Sequence, residues 1–79
     1  MELNDFKACI GENTRYYREL KQLSQVQLAH LSDLSETYIC ELEKGKVNAT
    51  CQTLNKLANA LGVEVEDLCR KREGGERKQ

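Results

Sequence analysis

The stretch "SQVQLAHLSDLSETYICELEKGK", residues 24–46, decides how the chain folds. Ser24 followed three residues later by Gln27 is a capping box, in which the two side chains satisfy the orphan N–H groups of a helix start. A short helix therefore opens here and runs to about Ser32. The segment "SDLS" interrupts the apolar pattern, and Ser35 caps a following helix that carries Ile39 and Leu42 on one face and stops at Gly45. Two short helices joined by about three residues, the second with an apolar face, form a helix-turn-helix unit over Gln25 to Lys44. Packing such a pair steeply needs a small residue where the helices cross, and Ala29 beside Leu28 supplies it. In this geometry the second helix enters the major groove of DNA.

Outward from this unit the rest of the chain also reads as helix. Asn4 or Asp5 is a good N-cap for a first helix with Phe6, Ile10, Tyr17 and Leu20 on one face, ending near Lys21. "KVNAT", residues 46–50, is a loop, and Thr50 caps a helix in which Leu54, Leu57, Ala58 and Leu61 follow the amphipathic spacing until Gly62 ends it. The alternation of Val63 and Val65 suggests a strand, but a lone strand has nothing to pair with. A short fifth helix from about Glu64 to Cys69 is the reading that remains. The expected fold class is all-α, a compact five-helix bundle.

Composition bounds the function classes. The 79 residues, 39% apolar with one Phe and no Trp, suffice for one small domain over residues 1–69. The segment "RKREGGERKQ", residues 70–79, carries +3 against −4 for the chain before it, and its Gly-Gly pair in an apolar-free context predicts a flexible basic tail. "MELNDFKACIGEN" lacks the basic start and apolar stretch of a signal peptide, and no apolar run is long enough to span a membrane. A cytoplasmic, soluble chain is expected.

Four cysteines, Cys9, Cys40, Cys51 and Cys69, contain no C-x-x-C pair, and His30 is the single histidine. This spacing does not make a zinc site. The cysteines are expected as free thiols, buried or half-buried as small apolar side chains, and His30 as a surface or half-buried residue. No nucleophile with base and orienter, no glycine-rich phosphate loop and no metal cluster is present, so an enzyme is the weakest option. No cofactor, metal or small-molecule ligand is implied.

Residues 10–68 resemble the helix-turn-helix domain of the phage repressor and Cro family. The resemblance is carried by "IG" at 10–11, Arg18 late in helix 1, "LSQVQLA" at 23–29, "YICELEKG" at 38–45 and "TLNKLANALGV" at 53–63. These motifs combine core, cap, turn and ion-pair positions at fixed spacing. For that family they imply a five-helix bundle of the lambda-repressor-like type that binds operator DNA as a homodimer, with helix 3 in the major groove. Gln22 and Asp33 stand where the family often has glycine, Thr14 replaces a usual aliphatic residue and Ala49 a frequent proline.

The resemblance assigns roles residue by residue. Gln25 falls where family members contact phosphate with the side chain and with the amide end of helix 2, which attracts anions. Glu36, Thr37, Tyr38 and Glu41 fall at outward positions of helix 3 facing base edges or flanking phosphates. Lys44, Lys46, Asn48 and Thr50 fall where the family's loop grips the DNA backbone. Glu43 matches the acid that pairs with the helix 1 arginine, here Arg18, in a structural salt bridge. That leaves Glu36 and Glu41 to meet DNA, where a carboxylate cannot hold phosphate or guanine but accepts from the cytosine amino group. Leu61, Val63, Val65 and Leu68 either offer a dimer surface or simply close the core. The expectation is a sequence-specific transcriptional regulator. The rival reading is a protein-interaction adaptor or anti-regulator built on the same fold.

Overall fold

The computed structural model describes residues 3–71, with side chains from residue 5 onward, and all five regular elements in that span are helices. They are α1 (Leu3–Leu20), α2 (Gln25–Ser32), α3 (Glu36–Glu43), α4 (Cys51–Leu61) and α5 (Val65–Cys69). The flexible tail expected over residues 70–79 lies outside the described residues, apart from Arg70 and Lys71.

Local signals set the helix ends. Ser24 Oγ accepts from the Gln27 amide at 3.0 Å while Gln27 Oε1 accepts from the Ser24 amide at 2.7 Å, so the capping box is complete. Ser35 and Thr50 cap α3 and α4 through the amides of Tyr38 and Thr53. At α5, Glu64 is the capping residue rather than the first helical one, and its amide donates to Asp67 Oδ2 at 3.0 Å.

One stop signal is used four times. The amides of Leu23, Leu34, Lys46 and Val63 reach back to the carbonyls of Arg18, Ala29, Glu41 and Ala58, with Gln22, Asp33, Gly45 and Gly62 left-handed just before them. Gly45 and Gly62 adopt that conformation without steric cost. Gln22 and Asp33, each at φ 59°, pay about 1–2 kcal/mol for the crowded Cβ, less for Asp than for Gln.

The start of α1 differs from expectation. Asn4 and Asp5 lie inside the helix rather than capping it, and Asp5 sits in the first turn, where its carboxylate complements the helix dipole. Leu20 is also out of place, being 62% exposed. The face of α1 that turns inward runs through Cys9, Ile10, Gly11, Asn13 and Thr14, so polar residues occupy two of its five buried positions. Leu20 is the last residue of α1.

α1 packs against α3 and α5, α2 against α3 and α4, and α4 against α5. Ile10, Leu28, Ala29, Ile39, Leu42, Leu54, Leu57, Ala58, Leu61 and Leu68 form the common core. Leu61 and Leu68 are 1% and 0% exposed, so they close this core and are not free to build a dimer surface. Gly11 permits the α1–α3 contact, because a Cβ there would stand 2.4 Å from the Leu42 carbonyl oxygen. The α1–α5 contact is polar: Asn13 Nδ2 donates to the carbonyls of Leu68 at 2.8 Å and Arg70 at 2.7 Å, and the Cys9 thiol lies 3.3 Å from the latter oxygen.

The four cysteines are free. Cys9 is buried and Cys40 and Cys69 are half-buried, but Cys51 is exposed as the first residue of α4, contrary to the expectation for all four. Burial foremost pushes the Cys9 and Cys69 thiols up from the ordinary 9.0, so both stay protonated at neutral pH. Among the described residues no group of three or more His, Cys, Asp and Glu is arranged to hold a metal ion, and no helix is long and apolar enough to cross a membrane.

Candidate nucleic-acid interface

The candidate interface is organised around a largely buried ion pair. Arg18, from the last turn of α1, donates through Nε to Glu43 Oε2 at 2.7 Å and through Nη2 to Glu43 Oε1 at 3.1 Å. Its remaining arm donates through Nη1 to the Leu23 carbonyl at 2.8 Å, in the turn before α2. The two side chains are 12% and 4% exposed, so the pair is largely withdrawn from water. The hydrogen bond to Glu43 foremost, with its charge, raises the Arg18 pKa against the opposing effect of burial. The Arg18–Glu43 salt bridge read from the sequence is therefore present and bidentate, and it fixes α1, the turn and α3 together.

Gln25, the first residue of α2, joins the same pair: its Nε2 donates to Glu43 Oε1 at 3.0 Å. This contact was not anticipated from the sequence, where the Gln25 side chain was assigned outward to phosphate. One of the two Nε2 N–H groups is committed inward, while the exposed amide end of α2 is unaffected.

The helix-turn-helix unit then brings four of the candidate residues into one place. Gln25, Glu36, Thr37 and Glu41, together with Cys40, line a hollow of about 340 Å³ where the start of α2 meets the outer face of α3. Glu36 and Thr37 are exposed and Glu41 is half-buried. Among the described residues the side chains of these three make no hydrogen bond or ion pair. Ile39 and Leu42, on the opposite face of α3, are 0% exposed and hold the helix to the core. The geometry thus separates an anchored inner face of α3 from an open outer face dominated by hydrogen-bond acceptors.

The remaining candidates are Tyr38, in the first turn of α3, and the stretch from the end of α3 to the start of α4. Lys44 ends α3, and Lys46 and Asn48 follow it, all three exposed. Tyr38 is half-buried, packed against the core, and its hydroxyl donates to the Asn48 carbonyl at 2.9 Å, so it clasps the loop to α3. Thr50 is spent on capping: its Oγ1 accepts from the Thr53 amide at 3.1 Å and also meets Thr53 Oγ1 at 3.1 Å. Its hydroxyl serves the fold first, and what faces outward is the N-terminal turn of α4.

Apolar surface appears elsewhere. Leu20, Val26 and Leu31 are 62%, 55% and 56% exposed, and Val26 and Leu31 line a second hollow with Leu23, Gln27 and His30. His30 is exposed, as expected. Sequence spacing alone concealed this surface, because it follows from which side of α2 the core occupies.

Comparison with known proteins agrees with the fold. The family pattern described as helix-turn-helix matches residues 15–68. Control protein C.SmaI of Serratia marcescens is 45% identical over 64 residues, which cover 81% of this chain and 76% of that protein. The crystal structure of the restriction-modification controller protein C.AhdI from Aeromonas hydrophila superposes with a TM-score of 0.76 at 37% identity, covering 78% of this chain and 94% of that one. The hypothetical transcription factor NHTF from Neisseria superposes with a TM-score of 0.83 at 31% identity, covering 99% and 87%. The chain belongs to the helix-turn-helix family of the repressor and Cro type, a family of DNA-binding transcriptional regulators.

Proposed function

We propose that the protein regulates transcription by binding a two-fold symmetric operator as a homodimer, with α3 of each protomer in the major groove. The observation that carries this reading is the convergence of Gln25, Glu36, Thr37 and Glu41 on one hollow, on the face of α3 opposite its buried anchors. Base edges in the major groove present a distinct pattern of donors, acceptors and methyl groups, and a helix of this width fits there. The amide end of α2 and the loop through Lys44, Lys46 and Asn48 flank the hollow and grip phosphates, with the α4 N-terminus at Thr50 closing the same edge. Tyr38 supports that grip by holding the loop.

Similarity to the control proteins favours a restriction-modification operon as the regulated locus. The acidic outer face of α3 also suits a selective regulator, because non-specific affinity comes from neutralised phosphates and carboxylates supply none.

Binding is tested by electrophoretic mobility shift against duplexes enriched from a randomised library. A preferred sequence should emerge, and Thr37→Ala and Glu41→Ala should change which bases are preferred, whereas Lys46→Ala should weaken all duplexes alike. Absence of any preferred sequence at low salt would contradict this reading.

A further inference from the structure

The outer face of α3 carries one side chain that the polar candidates leave out. Cys40 lines the hollow together with Gln25, Glu36, Thr37 and Glu41. Successive residues of an α-helix turn by about 100°, so from the direction opposite Ile39 and Leu42, Thr37 stands about 10° away, Cys40 and Glu41 about 50° away on either side, and Glu36 about 90° away. Cys40 therefore faces outward as much as Glu41 does, and more than Glu36. It is half-buried, and among the described residues its thiol makes no hydrogen bond or ion pair. Around it stand two carboxylates, a hydroxyl and an amide, so the thiol is the weakly polar spot of an otherwise strongly polar hollow.

We infer that Cys40 is a specificity-determining residue whose sulfur packs against the C5 methyl group of a thymine in each half-site. This inference rests on the reading of α3 as the major-groove helix. A free cysteine behaves as a small apolar side chain with only a weak S–H donor, so it gains little from the hydrogen-bonding atoms of a base edge. The methyl group of thymine is the apolar feature that unmodified bases present in the major groove, and small apolar groups are the ones that contact it. The flanking carboxylates of Glu36 and Glu41 suit the cytosine amino group instead. Thiol and carboxylates thus divide the two pyrimidines between them, and the contact removes apolar surface of both partners from water.

The test uses the full chain and the duplex that the wild type enriches from a randomised library of unmodified bases, in which thymine is the sole source of a C5 methyl group. Each thymine is replaced in turn, in both half-sites, by deoxyuridine, which removes the methyl group and keeps every hydrogen-bonding atom. Affinities are measured by fluorescence anisotropy as ratios of the thymine duplex to the deoxyuridine duplex, which cancel the folded fraction of each protein variant. One thymine per half-site should be sensitive in the wild type, by about fourfold for each half-site, as expected for one buried methyl group. Cys40→Ser, which keeps the shape and makes the group hydrophilic, should bring that ratio close to unity and leave the ratios at other thymines as they were. Cys40→Ala keeps an apolar surface and should keep thymine ahead of deoxyuridine.

The inference is overturned if no thymine of the half-site responds to loss of its methyl group, or if Cys40→Ser leaves the sensitive ratio intact. It is equally overturned if Cys40→Ala erases the ratio as fully as Cys40→Ser, or if Thr37→Ser erases it where Cys40→Ser does not, which would assign the methyl contact to Thr37. Failure of the wild type to enrich any duplex would instead sink the major-groove reading on which the inference depends.

Discussion

A buried hydroxyl without a hydrogen-bond partner costs more than the methyl group that would replace it, and Thr14 is in that position: it is 0% exposed and its Oγ1 meets no partner. Asn13 beside it is buried just as deeply but spends its amide on the carbonyls that end α5. The two neighbours therefore have opposite prospects on substitution. Thr14→Val keeps the shape and removes the unpaired group, and it should stabilise the domain by about 1 kcal/mol, raising Tm by about 4–8 °C. A calorimetric scan showing an unchanged or lowered Tm would mean that the hydroxyl is satisfied in solution. The sequence marks Thr14 as a departure from an aliphatic position, yet nothing in the spacing distinguishes it from Asn13. That distinction depends on where α5 ends in space, which is a matter of tertiary packing.

Among the helices, the ends were legible and the faces only partly so. Ser24, Ser35, Thr50 and Gly62 act on groups within a few residues of themselves, so their roles follow from local chemistry and appear in the structure as read. Leu20 and Cys51 were assigned inward by type and are exposed, because burial is decided by elements that approach from elsewhere. The same limit applies to the candidate site. The pairing of Arg18 with Glu43 was legible through the family motif, whereas the recruitment of Gln25 to it requires the start of α2 to lie over the end of α3. Because that buried group ties three helices together, removing one partner leaves an unpaired charge. Arg18→Met should cost roughly 3–5 kcal/mol, seen as a fall in Tm that the exposed substitution Asn59→Met does not approach. Equal effects of the two would contradict a stabilising role for the pair.

At the scale of the whole molecule, formal net charge is −1, so long-range attraction to DNA is modest and binding depends on how well the two half-sites are matched. A homodimer with α3 in successive major grooves places its reading helices about one turn of duplex apart, roughly 34–36 Å. Shape and sequence preference are then linked, since a single rigid spacing must satisfy both protomers. The most direct measurement is chemical interference footprinting of the enriched duplex with the wild-type protein. Two inverted half-sites are expected, with protected major-groove edges centred one helical turn apart on the same side of the duplex, occupied with the stoichiometry of one dimer. Protection confined to the minor groove, or a single unrepeated site bound by one protomer, would contradict this arrangement.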